Sequence, residues 1–193
     1  LLAMGWLVRR NPPRSLLDSA PLRELLTRNL DFKGIERSIS RGALHAVSIT
    51  AFGYESGESI SFFQAHESAQ PWRRVQRFGI RSSIGTDHLL ASSAIPFIFP
   101  AVRIHREFFG DGSMRQLAPI SPAIHLGAER IFIVGASRKN EHQDRRRVES
   151  YPSLAQIAGH ALSSIFLDGL AVDIERMQRI NRTLLSIPPE IRE

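Results

Sequence analysis

The chain predicts an α/β domain with a mostly parallel sheet, and three features of the sequence carry that expectation. Apolar residues recur at helical spacing near both ends: Leu22, Leu25, Leu26 and Leu30 early, and Leu154, Ile157, Ala161, Ile165 and Val172 late. Between them, Val47, Ile49 and Ala51 alternate with Ser48, Thr50 and Phe52, the two-residue period of a strand. Further on, Ile131-Phe-Ile-Val134 is continuously apolar, as in a strand buried on both faces. Helices alternating with buried strands are the pattern of the α/β class.

The bulk properties fit one folded domain. At 193 residues a chain buries roughly 70% of the surface that its unfolded form exposes. Hydrophobic content of 42% and charged content of 23% exclude a chain that is disordered throughout. The absence of cysteine excludes a disulfide framework, a thiolate metal site and a cysteine nucleophile. The net charge of +6 is almost wholly arginine, since Lys33 and Lys139 are the only lysines. Such a balance attracts phosphate, on nucleic acid or on lipid headgroups, without choosing between them. The densest basic run, Arg145-Arg146-Arg147, is diluted by His142, Asp144 and Glu149. No apolar run reaches the ~18 residues of a spanning helix. The opening Leu1-Leu-Ala-Met-Gly-Trp-Leu-Val8 is followed, not preceded, by Arg9-Arg10, the wrong order for a secretory signal. Both ends are read as cuts in a longer protein.

In chain order, Asn11-Pro12-Pro13 breaks the opening apolar element, and Asp18-Ser19 before Pro21 start a helix. A second short helix turns Ile35 and Ile39 inward and is closed by Gly42. A strand over 43–54, a turn at Glu55-Ser-Gly57-Glu and an antiparallel strand with Ile60 and Phe62 follow. His45 and His66 have no partner at metal-ligand spacing. Residues 64–83 are polar and arginine-rich, a long connection of the kind that serves as a lid or binding loop, with Trp72 as its anchor. Thr86-Asp87 cap a helix that ends at Ile95-Pro96. Phe97, Ile98 and Phe99 form an apolar wedge suited to the core or to a pocket wall, and 102–109 form a hairpin. Ser121-Pro122 start a helix that Gly127 ends. Ser153-Leu-Ala-Gln156 is a capping box opening a long helix over about 153–185, with a bend at Asp168-Gly169 and a stop at Pro188-Pro189. Residues 186–193 are a tail.

The candidate for chemistry is Asp111, set between Gly110 and Gly112. Asp-Gly is a common turn signal, because glycine supplies φ > 0 and Asp bonds its own backbone. Here the loop lies between apolar elements beside Phe97 and Phe99, and a carboxylate near apolar walls holds a proton more readily than one in water, which suits a general base. A nucleophile is harder to find. No serine stands in Gly-x-Ser-x-Gly, although Ser56, Ser113 and Ser137 each have one glycine nearby. Ser92-Ser93 read as helix positions, and His88, His105, His125 and His160 show no telling spacing. There is no phosphate loop or dinucleotide fingerprint.

Four blocks then resemble a known family. They are Ala91-Ser-Ser-Ala-Ile-Pro-Phe-Ile-Phe-Pro100, Phe109-Gly-Asp-Gly112, Ala118-Pro-Ile-Ser-Pro122 and Leu126-Gly-Ala-Glu-Arg-Ile-Phe-Ile-Val134. Together they resemble the C-terminal half of a patatin-like phospholipase domain. Ser15-Leu-Leu-Asp18 with Pro21-Leu22, and Ile49-Thr-Ala51 before Ser56-Gly-Glu58, are similar to bacterial members. The resemblance covers residues 1–185 as the C-terminal portion of one such domain. It implies a three-layer α/β/α fold, incomplete here at its N-terminal side, lipid acyl hydrolysis and a serine–aspartate dyad without histidine. The family's Asp-Gly-Gly or Asp-Gly-Ala matches Asp111-Gly112-Ser113, with serine in the third place. Its nucleophile elbow and oxyanion loop lie N-terminal to the matched part, so only Asp111 carries over, and the chain alone is expected to be inactive.

The expected partner is a phospholipid or other lipid ester, with peripheral membrane contact and a cytoplasmic or membrane-peripheral setting. No cofactor, no metal and no nucleic acid is expected, the last because aromatic residues are not interleaved with the arginines as stacking requires. The alternative is a non-catalytic module of the same fold that binds lipid or protein. A sheet lacking its first strands is also expected to expose an edge and aggregate.

Overall fold

The structure, a computed structural model, describes residues 15–116, 118–135, 153, 156, 159 and 169–187. The chain divides into two compact units, one of Leu1–Gln116 with His125–Gly127 and one of Leu117–Ile124 with Ala128–Glu193. The first unit holds helices α1 (Ala20–Asn29), α2 (Phe32–Ser40) and α3 (Thr86–Ser92), and strands β1 (Ala46–Gly53), β2 (Ser59–Ala65), β3 (Trp72–Arg74), β4 (Arg77–Arg81), β5 (Val102–Ile104) and β6 (Glu107–Asp111). The strands form one sheet in the order β3-β4-β2-β1-β6-β5.

The α/β class is as expected, but the sheet is not mostly parallel. Only β2 and β4 run parallel; the other four pairings are antiparallel. The reason is connection length. Turns of a few residues join β1 to β2, β3 to β4 and β5 to β6, and such turns permit only antiparallel neighbours. Residues 66–76, the stretch that includes β3, carry the chain across to the one parallel pairing.

Register divides the sheet into two unlike faces. Ala51 pairs with Ile60 and Ile49 with Phe62, so these side chains share one face, and Phe109 joins them opposite Gly53. Leu90 and Ala91 of α3 are buried with them, and Leu22, Leu26, Phe32 and Ile35 of α1 and α2 pack on the same cluster. On the other face Thr50 pairs with Ser61 and Ser48 with Phe63. The Thr50 and Ser61 hydroxyls meet at 3.0 Å. Phe63 stacks on Trp72, and Trp72 on His125, in a second cluster that includes Ala65, Ala69 and Leu126.

Local devices hold these elements. Asp18 accepts the Ala20 N–H before α1, and Asp31 accepts the Gly34 N–H at the start of α2. Gly42 ends α2 at φ 72°, a left-handed position that glycine takes without a Cβ penalty. Arg23, on the exposed side of α1, pairs with Asp87 at 2.6 Å and ties α1 to α3. Glu107 clamps the turn after β1: its Oε1 accepts the N–H groups of Glu55 (3.1 Å) and Ser56 (2.7 Å).

The expected long connection over 64–83 is instead largely the β3–β4 hairpin. Its arginines mask the alternation, as is common where an edge strand carries charge to deter pairing.

In the second unit, Asp173 on the terminal helix α5 (Gly169–Ser186) accepts the Ile120 N–H at 3.1 Å. The capping box is formed: Ser153 N–H donates to Gln156 Oε1 and Gln156 N–H to Ser153 Oγ. Val172, expected inside, is 63% exposed; the other four core positions assigned to this helix, and the arginine run at 145–147, lie outside the described residues. Helix α4 (Ser121–His125) ends before Gly127, whose φ is 87°. Residues 131–134 are not a buried strand: no strand forms there and Phe132 is 92% exposed. An apolar run becomes a strand only where another strand completes its hydrogen bonds, and among the described residues none lies beside it.

Candidate functional site

Asp111 is the last residue of β6, opposite Ala51 on β1. Its N–H donates to the Ala94 carbonyl at 3.0 Å, which joins the strand end to the chain leaving α3. Its Oδ1 accepts from both the N–H (2.9 Å) and the hydroxyl (2.5 Å) of Ser113, in the first turn of a short 3₁₀ helix, Gly112–Arg115. One oxygen is therefore fixed. Oδ2 makes no hydrogen bond among the described residues, and the side chain is half-buried. The carboxylate is oriented at one atom and open at the other.

The flanking glycines are there for space. Neither Gly110 nor Gly112 has a positive φ, so the left-handed turn expected of Asp-Gly is not formed. A Cβ on Gly112 would lie 2.2 Å from the Thr50 carbonyl oxygen, and one on Gly110 would lie 2.5 Å from the Tyr54 hydroxyl. The two glycines let β6 and the 3₁₀ turn press against β1 and the Tyr54 ring. Position 113, serine here, contributes the two donors that hold Oδ1.

The expected wall of Phe97 and Phe99 is not built as foreseen. Phe97 is 73% exposed, with φ at 67°, a strained conformation for a bulky residue. Its carbonyl and that of Ile98 accept the N–H groups of Leu16 and Leu17, both at 2.8 Å, so the tight turn is pinned with the ring outward. The neighbour the sequence did not reveal is Tyr54. It crosses Gly110, meets Phe52 edge-on, and reaches Met114 Sδ at 3.8 Å. Burial, and then the charge of Asp111, push its hydroxyl above the usual phenol range. Tyr54 is thus a neutral donor at neutral pH, placed in the field of the carboxylate. The signal was present in the alternation of β1, which puts Tyr54 on the face of Phe52, but only register sets it over Gly110.

The remaining candidates lie elsewhere. His88 is buried against Phe62, with Nδ1 accepting the Gly85 N–H at 3.1 Å and Nε2 3.3 Å from the Ser82 hydroxyl. Those contacts assign the neutral tautomer protonated at Nε2. Burial, the largest influence, lowers its pKa. Ser92 and Ser93 belong to the end of α3, where the Ser93 hydroxyl donates to the Leu89 carbonyl. His45 and His66 stack on one another. An open cavity of about 330 Å³ is floored by Ile60, Phe62 and Phe109 near the β5–β6 turn, and Asp111 does not line it. Among the described residues no cluster of His, Asp and Glu is placed to hold a metal ion, and no helix is long and apolar enough to cross a membrane.

Comparison with known families finds a match to the family described as patatin-like phospholipase, over residues 2–124. The matched span takes in the whole six-stranded sheet and the Asp111 turn. No curated protein and no solved structure matches the chain.

Proposed function

The chain belongs to the patatin-like phospholipase family, and from that premise we propose that Asp111 is the general base of a serine–aspartate dyad in a lipid acyl hydrolase. Family membership supports lipid acyl hydrolysis as the general activity; the assignment of Asp111 rests on its geometry. The observation that carries it is the division of labour in the carboxylate, with Oδ1 held by Ser113 and Oδ2 left open. A general base needs an oriented oxygen within reach of the proton it removes.

In this reading Oδ2 takes the proton of a serine hydroxyl as the serine oxygen bonds to the ester carbonyl carbon. Backbone N–H groups hold the oxyanion. Collapse breaks the bond to the alcohol, which leaves with the proton from Asp111, and water then releases the fatty acid by the same steps. The serine is not supplied by a Gly-x-Ser-x-Gly within this sequence, so the 193-residue chain alone turns over no ester. The lipid substrate places its work at a membrane periphery.

The test has two arms. In a longer polypeptide that supplies the serine, Asp111→Asn lowers kcat about 10²–10⁴-fold with the fold intact, the range for loss of a general base; activity unchanged by that substitution would put the base elsewhere, and no ester hydrolysis by the unsubstituted polypeptide would leave the non-catalytic, lipid- or protein-binding reading. Steady p-nitrophenol release from short-chain esters by the chain alone, absent in its Asp111→Asn form, would overturn the claim that the serine lies elsewhere.

A further inference from the structure

The β3–β4 hairpin carries a charge arrangement that the fold itself does not explain. Arg74 and Arg77 are direct cross-strand partners, and like charges so placed, with Cβ atoms about 4.5–5.5 Å apart, are destabilising. Among the described residues neither has an acidic partner. Alternation puts both on the face of Trp72, near His125, which stacks on Trp72 at 4.9 Å. Their charges add to burial in holding that imidazole neutral. Arg73 projects to the other side, over the Phe78 ring at 5.0 Å, and it too lacks an acidic partner among the described residues. By contrast Arg81, next on the same face, is consumed by the carbonyls of Ala65, His66 and Ala69.

The tip is apolar and fixed. Val75 is 86% exposed. Gln76 holds a φ of 59°, rare for a residue with a Cβ, and its carbonyl accepts the Ser59 N–H at 2.9 Å. The strained turn is thereby bonded to the first residue of β2, and the hairpin is fixed along its length at the edge of the sheet.

The geometry points to the β3–β4 hairpin as a docking element for an anionic bilayer surface, with Arg73, Arg74 and Arg77 meeting lipid phosphates and Val75 entering the headgroup layer. Charge complementarity carries the inference: three guanidinium groups without an acidic partner among the described residues flank one outward valine. A bilayer is favoured over other polyanions by that valine, which a nucleic acid gives nothing to bury against, and by the lipid chemistry of the family reading on which this choice rests.

The test uses the full 193-residue chain and vesicles of phosphatidylcholine, with or without an equal part of phosphatidylglycerol. Each arginine near an anionic surface is worth roughly fivefold in partition, so Arg74→Gln with Arg77→Gln weakens co-sedimentation with the anionic vesicles about 30-fold. Arg41→Gln with Arg106→Gln removes the same charge from other exposed sites and leaves binding within about twofold of wild type by the same reasoning. Val75→Ser weakens vesicle binding while leaving retention on phosphocellulose unchanged, which separates a lipid surface from free phosphate. Circular dichroism checks that each variant is folded. The proposal is overturned if wild type ignores anionic vesicles, if the two double variants lose equally, if Val75→Ser has no effect, or if a single-stranded oligonucleotide displaces the chain from vesicles at trace concentration. Because the readout is binding, these outcomes are independent of whether Asp111 serves a serine.

Discussion

The two faces of the sheet come from the same strands and do different work. Ile49, Ala51, Ile60, Phe62 and Phe109 look toward the helices and form the main core. One residue out of phase, Ser48, Thr50 and Ser61 look the other way, and the Ser48 hydroxyl there is buried without a partner among the described residues. Apolar area on the helix side, at roughly 25 cal/mol per Å² buried, is the main source of stability. The opposite side carries hydroxyls, the Tyr54 ring over Gly110 and the Arg74–Arg77 pair. Asp111, paired with Ala51, belongs by register to the helix side, at the strand end where the core meets the chain leaving α3, so it and Tyr54 approach Gly110 from opposite faces.

That contrast can be broken experimentally, most severely from the core side. Phe62→Ala removes a ring packed edge-on against both His88 and Phe109 and is expected to lower unfolding free energy by about 3–5 kcal/mol in urea titration. Gly112→Ala comes next. Its methyl would meet the Thr50 carbonyl oxygen at 2.2 Å, and overpacking of this kind costs about 1–3 kcal/mol. Gly42→Ala is its control: nothing lies near its Cβ position, but its φ of 72° is strained for alanine, so about 1 kcal/mol is expected. If Gly42→Ala proves the more damaging, space is not what glycine provides at 112. Thr50→Val should cost about 1 kcal/mol by orphaning the Ser61 hydroxyl, and adding Ser61→Ala should restore part of it.

The smallest effect is the dependence on acid. His88 has its folded pKa lowered below 6.5 by burial, so its contribution to stability is complete above 6.5 and is lost as pH falls toward the folded value. The urea midpoint should decline from pH 7 to about pH 5, and His88→Gln should flatten that decline. A midpoint that rises on acidification would place the ring in another environment.

What could be read from sequence was local. The β1–β2 and β5–β6 pairings, the closing glycines at 42 and 127 and the capping box at 153 depend on residues a few positions apart, and all are formed. What could not be read depended on partners distant in sequence. Residues 131–134 have strand composition but no strand to pair with among those described. The arginines of β3 and β4 hid a hairpin inside what looked like a loop. At Asp111 the residues themselves were plain, yet the reason for its two glycines lies in Thr50 and Tyr54, more than fifty positions upstream. Phe97, taken for a wall, faces out because Leu16 and Leu17 pin its turn.

The Glu107 clamp has a consequence for how this region tolerates change. It stands at the opposite end of β6 from Asp111 and bonds the turn beyond β1, so it works as an index pin for the ladder between. Slippage by one residue would invert every side chain on the strand, and the pin would lose both of its amide donors at once. Misregistration here is therefore all or nothing. A one-residue insertion between Phe109 and Asp111 would let the pin seat correctly and keep Phe109 in the core while turning the carboxylate to the opposite face. Such a variant is expected to keep most of its thermal stability and, on the reading that Asp111 is the base, to lose activity in the longer polypeptide.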